Sequence, residues 1–200
     1  AAYYKRRFDV KLDPEDEVIV TLGSKEGLAN LAQAITSPGD IILSPNPSYP
    51  IHPYGFIIAG ASLRHLPAID NGIFNPDLYL ERLERSIIES VPAPVAIIVS
   101  FPSNPTAQVV SLEFYAEVVK IAHKYKVYIL SDLAYAEIYY DNSPPPSILQ
   151  IPNAKEVAVE FTSMSKTYAM AGWRIGFAVG NKRLIYALTR IKSYLDYGAF

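Results

Sequence analysis

Lys166 stands in Ser163-Met164-Ser165-Lys166, directly after an apolar run, with no further charge until Arg174 in Gly172-Trp173-Arg174. A lysine desolvated there beside a second cation would lose its proton easily, and a neutral lysine amine adds to carbonyl carbons. Three other apolar runs also end in polar groups. Asp132 follows Val127 to Ser131, and Tyr135 comes three residues later, so a carboxylate and a phenol leave the same place. Asn104, in Phe101-Pro102-Ser103-Asn104-Pro105-Thr106, is a neutral donor and acceptor held extended by the proline after it. Leu22-Gly23-Ser24-Lys25-Glu26-Gly27 reads as a tight turn into a helix, whose backbone N–H groups and dipole suit a phosphate. Singly, each has an ordinary structural reading: a surface lysine, a capping aspartate, an Asn-Pro turn, a serine cap.

These groups need a scaffold that brings them together. Runs rich in Val and Ile at 17–21, 40–43, 95–100, 127–131 and 157–162 are predicted as buried strands. Helical spacing occupies 25–36, 54–59, 76–89, 112–125 and 182–195. The helix over 112–125 is expected to bury Leu112, Tyr115, Ala116, Val119 and Ala122. Alternating strands and helices imply an α/β protein, a three-layer sandwich with a mostly parallel central sheet. In such sheets ligands bind beyond the carboxyl ends of the strands, which is where all four polar groups fall. The crossover from Leu112 to Ser131 places Asn104 and Asp132 at the tips of two parallel strands, where they can share one pocket. Asn142-Ser143-Pro144-Pro145-Pro146 reads as a stiff surface loop within a single domain.

Composition removes several classes of function. Among 200 residues, 18 Lys and Arg stand against 20 Asp and Glu, a formal charge of -2 that leaves no basic footprint for nucleic acid. No apolar run approaches the roughly 18 residues a membrane helix needs. Gly172, Gly176 and Gly180 have the spacing of a membrane dimer motif, but Trp173 and Arg174 interrupt it. With no cysteine there is no thiolate metal site, disulfide or cysteine nucleophile. His52, His65 and His123 match no metal spacing and are expected to pack or face solvent, so no metal is expected. Dinucleotide, P-loop and serine-hydrolase fingerprints are missing. The opening Ala1-Ala2-Tyr3-Tyr4-Lys5-Arg6-Arg7 is not a signal peptide, and the cytoplasm is the expected compartment.

Taken jointly, a phosphate turn, an Asn, an Asp-x-x-Tyr and a Ser-x-x-Lys with a following Arg match the needs of pyridoxal 5'-phosphate. Through these motifs, with Pro45-Asn46-Pro47-Ser48-Tyr49-Pro50, the sequence resembles the class I aminotransferases, pyridoxal-phosphate enzymes of fold type I. The resemblance implies that Lys166 is the covalent anchor and general acid/base, and that Asp132 keeps the pyridine nitrogen protonated. It implies that Asn104 and Tyr135 hydrogen-bond the ring oxygen and that Tyr49 stacks on the ring. Ser24, Lys25, Ser163 and Arg174 would hold the phosphate, the arginine as a bidentate cation.

Pro50-Ile51-His52, Phe101 to Ala107 and Met170 to Arg174 are most similar to the bacterial alanine aminotransferase branch, which pairs alanine with 2-oxoglutarate; Ala107 replaces a more usual Gly. Small amino acids and 2-oxo acids are the implied partners, and the implied assembly is a homodimer. Family members also carry an upstream segment, whose Tyr reaches the partner subunit's phosphate, and a C-terminal small domain with a carboxylate-binding Arg. Residues 1–200 are therefore expected to be the large-domain core, binding cofactor poorly and transaminating little alone. Three rivals remain. One is another enzyme on this scaffold: an aspartate or LL-diaminopimelate aminotransferase or a C-S lyase. The second is an aminotransferase-like domain of a transcription regulator, and the third a nucleotide-binding domain with Lys166 on its surface.

Overall fold

A computed structural model describes residues 1–67, 69–70 and 72–199. Along the chain lie α1 (Ala2–Phe8), β1 (Val18–Thr21), α2 (Ser24–Ile35), β2 (Ile41–Asn46), α3 (Ile51–Ile58) and β3 (Ser62–Pro67). A small hairpin, β4 (Ile69–Asp70) and β5 (Ile73–Phe74), precedes α4 (Pro76–Ile88), β6 (Ala96–Val99), α5 (Leu112–Tyr125) and β7 (Tyr128–Asp132). The chain continues through β8 (Ala158–Ser163), α6 (Met164–Thr167), β9 (Gly176–Gly180) and α7 (Lys182–Leu195). The main sheet has the order β1-β9-β8-β7-β6-β2-β3. Every strand in it runs the same way except β9, which is antiparallel to both neighbours.

Strand side chains alternate between faces, and both faces are covered, so the central strands are apolar at every position. Ile41, Leu43, Ile97, Val99, Ile129 and Ala158 pack on one side with α1, α4 and α5. Their chain neighbours Ile42, Ala96, Ile98, Leu130 and Val159 pack on the other with α2, α3 and α7. The three-layer α/β sandwich expected from the sequence is the observed fold. Among the described residues no helix is long and apolar enough to cross a membrane.

Local chemistry sets the element ends that matter for the strand tips. Ser111 caps α5 by accepting the Phe114 N–H, and Lys126 ends that helix in the left-handed region. The buried face of α5 differs from the expected one. Tyr115, Val119 and Ala122 are buried, but Phe114, Val118 and Ile121 complete the face while Leu112 is exposed and Ala116 only half-buried. Three elements carry no strong sequence signal. β3 is an edge strand with one exposed face, β9 is bounded by Gly176 and Gly180, and α1 is a short helix of aromatic and basic residues. The helix expected from Tyr54 begins earlier, at Ile51.

One charge is buried in the layer beneath the site. Glu160 on β8 is fully buried and accepts hydrogen bonds from the Tyr4 phenol, the Ser131 and Ser147 hydroxyls and the Ile148 N–H. Burial pushes its carboxyl above the usual value of 4.5, outweighing these four donors. A carboxyl with a raised folded-state pKa stabilises the fold fully below its unfolded pKa, and that contribution is lost as pH rises through the folded value. Glu160→Gln, neutral at every pH, is therefore expected to gain stability relative to wild type as pH rises from about 4 to about 8. Urea denaturation across that range tests this, and parallel curves for the two proteins would contradict it.

Candidate active site

The turn after β1 is shaped by two glycines. Gly23 caps α2 at φ 87° with no side-chain cap, and among the described residues no side-chain hydrogen bond reaches the N–H groups of Ser24 and Lys25. A Cβ on Gly23 would lie 2.7 Å from Arg174 Nη2. One on Gly176 of β9 would lie 2.7 Å from the Thr162 carbonyl oxygen and 2.9 Å from the Ser24 nitrogen. Any side chain at either place would push the turn, β9 and the arginine apart. Arg174 itself leaves a short 3-10 turn in the left-handed region at φ 53°. Its guanidinium donates to the Ala171 carbonyl at 3.0 Å, to Ser165 Oγ at 3.4 Å and to the Leu22 carbonyl at 3.5 Å. The arginine therefore spans the gap between the loop after β8 and the turn after β1.

At the centre of the sheet, Asp132 closes β7 and is almost fully buried. Its Oδ1 accepts the Ala134 N–H at 3.3 Å, and its Oδ2 lies 2.9 Å from His52 Nε2. His52 is wholly buried in the first turn of α3, and its Nδ1 has no hydrogen-bond partner among the described residues. The tautomer with its proton on Nε2 donates to the carboxylate and leaves only a lone pair unmatched; the other would bury an orphan N–H. His52 thus fixes the carboxylate from behind, and Tyr49, three residues earlier, meets its ring edge-on at 6.1 Å.

From the neighbouring tip, Asn104 Nδ2 donates to the Tyr135 hydroxyl at 3.2 Å. Lys166 Nζ sits 5.8 Å from the centre of the Tyr135 ring, and Lys25 Nζ sits 5.8 Å from that of Tyr49. Ser24, Lys25, Tyr49, Asn104, Asp132, Tyr135, Ser163, Lys166 and Arg174 all line one cavity of about 210 Å³. Three cations and one carboxylate face a common space, an arrangement suited to an anionic ligand that also carries a cationic or hydrogen-bond-donating group. Among the described residues no cluster of three or more His, Cys, Asp or Glu is placed to hold a metal ion.

The structure corrects one expectation. Lys166 is exposed, not desolvated: Ser163 and Met164 are buried at the end of the strand, but one turn of α6 carries Lys166 out to the cavity. Between β1 and β8 the strand β9 runs back. Ser100, Ala134 and Ser165 also line the cavity, and their residue types carry no signal that would have marked them. His52, expected to pack or face solvent, instead meets the Asp132 carboxylate from the first turn of α3, and its spacing carries no signal that would have found it.

The model for aminotransferases of class I and II matches residues 1–195. AatC of Rhizobium meliloti is 60% identical over the whole chain, which covers 48% of that protein. The glutamate-pyruvate aminotransferase AlaC of Escherichia coli is 57% identical over 99% of the chain and 47% of its own length. An LL-diaminopimelate aminotransferase of Aquifex aeolicus is 50% identical over all of the chain and 50% of its own. Among solved structures, aspartate aminotransferase from Thermus thermophilus with maleate superposes with a TM-score of 0.88 at 29% identity, over 100% of this chain and 50% of that one. The chain spans about half the length of the curated relatives it matches.

Proposed function

The chain belongs to the aminotransferases of class I and II, and on that premise we propose that it forms the cofactor-binding core of an enzyme moving an amino group between an amino acid and a 2-oxo acid. The observation that carries the proposal is the convergence of nine side chains, from stretches as far apart as Ser24 and Arg174, on one cavity. The residues present suit pyridoxal 5'-phosphate: a glycine-lined turn with unclaimed N–H groups beside an arginine, a buried carboxylate, a phenol–amide pair and a lysine. When bound, that cofactor supplies a carbonyl carbon for amines and a ring that accepts negative charge from the substrate α-carbon.

Within this proposal each residue has a task set by its position. Ser24, Lys25, Ser163 and Arg174 hold the phosphate, and Tyr49 covers the ring face. Asp132, kept in place by His52, holds a proton on the ring nitrogen. Asn104 and Tyr135 hydrogen-bond the ring oxygen. Lys166 would be the covalent anchor, and its amine, once displaced by the amine of the substrate, would be the base that takes the α-proton and returns it. The exposure of Lys166 fits a site whose outer wall comes from beyond these 200 residues, as expected of a large-domain core. Borohydride reduction of the full-length protein with the cofactor, followed by peptide mapping, should place the phosphopyridoxyl group on Lys166. A label elsewhere would overturn the assignment.

Alanine with 2-oxoglutarate is the proposed substrate pair, supported by the identity to AlaC and by Pro50-Ile51-His52. LL-diaminopimelate is the second reading, favoured by the relative at 50% identity. Amino-donor profiling separates them. We assign the work to a homodimer in the cytoplasm. Tyr168, just after α6, and Tyr186 and Tyr194 on α7 are exposed aromatic side chains of the kind a dimer contact buries. Sedimentation equilibrium of the full-length protein should give twice the chain mass, and a monomer would refute the assembly.

A further inference from the structure

Glu26 is the third residue of α2, one place beyond Lys25. Its Oε2 accepts the Leu22 N–H at 2.7 Å, reaching back across the turn that Gly23 leaves without a capping side chain. Its Oε1 accepts the Asn30 amide and, at 3.0 Å, the ammonium of Lys192. Lys192 comes from the last turn of α7 and is only 7% exposed at its side chain; it also donates to Asp196 Oδ2 at 2.6 Å. A buried cation from the far end of the chain is thus fixed on a carboxylate two residues from Ser24.

Glu26 serves the turn in one way and endangers it in another. By taking the Leu22 N–H it holds the loop in the shape that leaves the Ser24 and Lys25 N–H groups unclaimed. Yet an uncompensated carboxylate this close to an anion site repels the anion, strongly so where water is scarce. We infer that Lys192 and Glu26 are positioning residues for the phosphate: Glu26 sets the turn, and Lys192, anchored from the other side by Asp196, offsets the Glu26 charge that would otherwise oppose the ligand. The inference rests on reading the turn as the phosphate site of pyridoxal phosphate.

The test is the affinity of the cofactor-free full-length chain for pyridoxal phosphate and for pyridoxal, which lacks the phosphate, followed by absorbance. Lys192→Met is expected to weaken pyridoxal phosphate binding by about tenfold and leave pyridoxal binding unchanged. Lys192→Arg should stay near wild type. The double variant Lys192→Met/Glu26→Gln should recover most of the loss, because a glutamine still accepts the Leu22 N–H and carries no charge. Should Lys192→Met fail to fold, the double variant decides: near-wild-type affinity upholds the inference and a tenfold loss overturns it. Equal loss for both ligands, or no recovery in the double variant, would also overturn it. A wild-type chain that binds pyridoxal phosphate no better than pyridoxal would remove the phosphate site itself, and the inference with it.

Discussion

Replacing Lys166 by alanine in the full-length protein is expected to lower transamination by about 10⁴-fold or more, with little change in melting temperature. The size follows from two losses at once, a covalent anchor and a positioned proton carrier, the second worth about 10²- to 10⁴-fold by itself. The small effect on stability follows from geometry. Lys166 is exposed on a single turn of helix, and its ammonium lies over the Tyr135 ring at 5.8 Å. Exposed substitutions of this kind shift stability by about 0.5 kcal/mol or less. Stopped-flow kinetics with amino acid and 2-oxo acid give the rate, and small primary amines added to the variant should restore part of it. Turnover within tenfold of wild type would remove Lys166 from the mechanism.

Asp132→Asn carries the second large effect. Asparagine has the same shape: its single oxygen can still accept the Ala134 N–H, while its NH2 group donates to His52 Nε2 once that ring takes the other tautomer, so the variant should fold. It cannot hold a proton on a ring nitrogen by charge. Removing one preorganised electrostatic partner from a buried site costs about 10²- to 10³-fold in rate, and the same loss is expected here in kcat with KM within a few-fold. The order of the variants is informative too. His52 acts only through the carboxylate, so His52→Leu in the Asp132→Asn background should add little further loss. Full additivity would show that the histidine has a task of its own.

What the sequence revealed and what it hid divide along physical lines. Strands covered on both faces announce themselves as unbroken Val and Ile runs, and β6, β7 and β8 were visible for that reason. The bounds of α5 and α7 match the helical spacing to the residue, since both carry an apolar stripe and a polar cap. β3 was hidden because an edge strand needs only one apolar face, and Ser62, Arg64 and His65 occupy its exposed positions. In the site, residues that act through their own chemistry were legible from type and placement at strand ends. Those that act through a distant partner were not. His52 meets Asp132 across 80 positions of chain, and Lys192 meets Glu26 across 166. No local pattern encodes either pairing. The exposure of Lys166 was misjudged because burial of a strand end says nothing about the direction of the helical turn that follows.

The reversed strand β9 also has a bearing on how the protein is made. It pairs Gly176 with Thr21 and brings Arg174 to the Leu22 carbonyl, 152 positions away in sequence. Contacts of such long range form late, because the loop between them must close first. On the ribosome, the turn at Gly23 emerges long before the strand and arginine that complete it. A nascent chain therefore cannot complete that turn until β9 has been synthesised and has inserted between β1 and β8, which makes this end of the sheet a late product of folding.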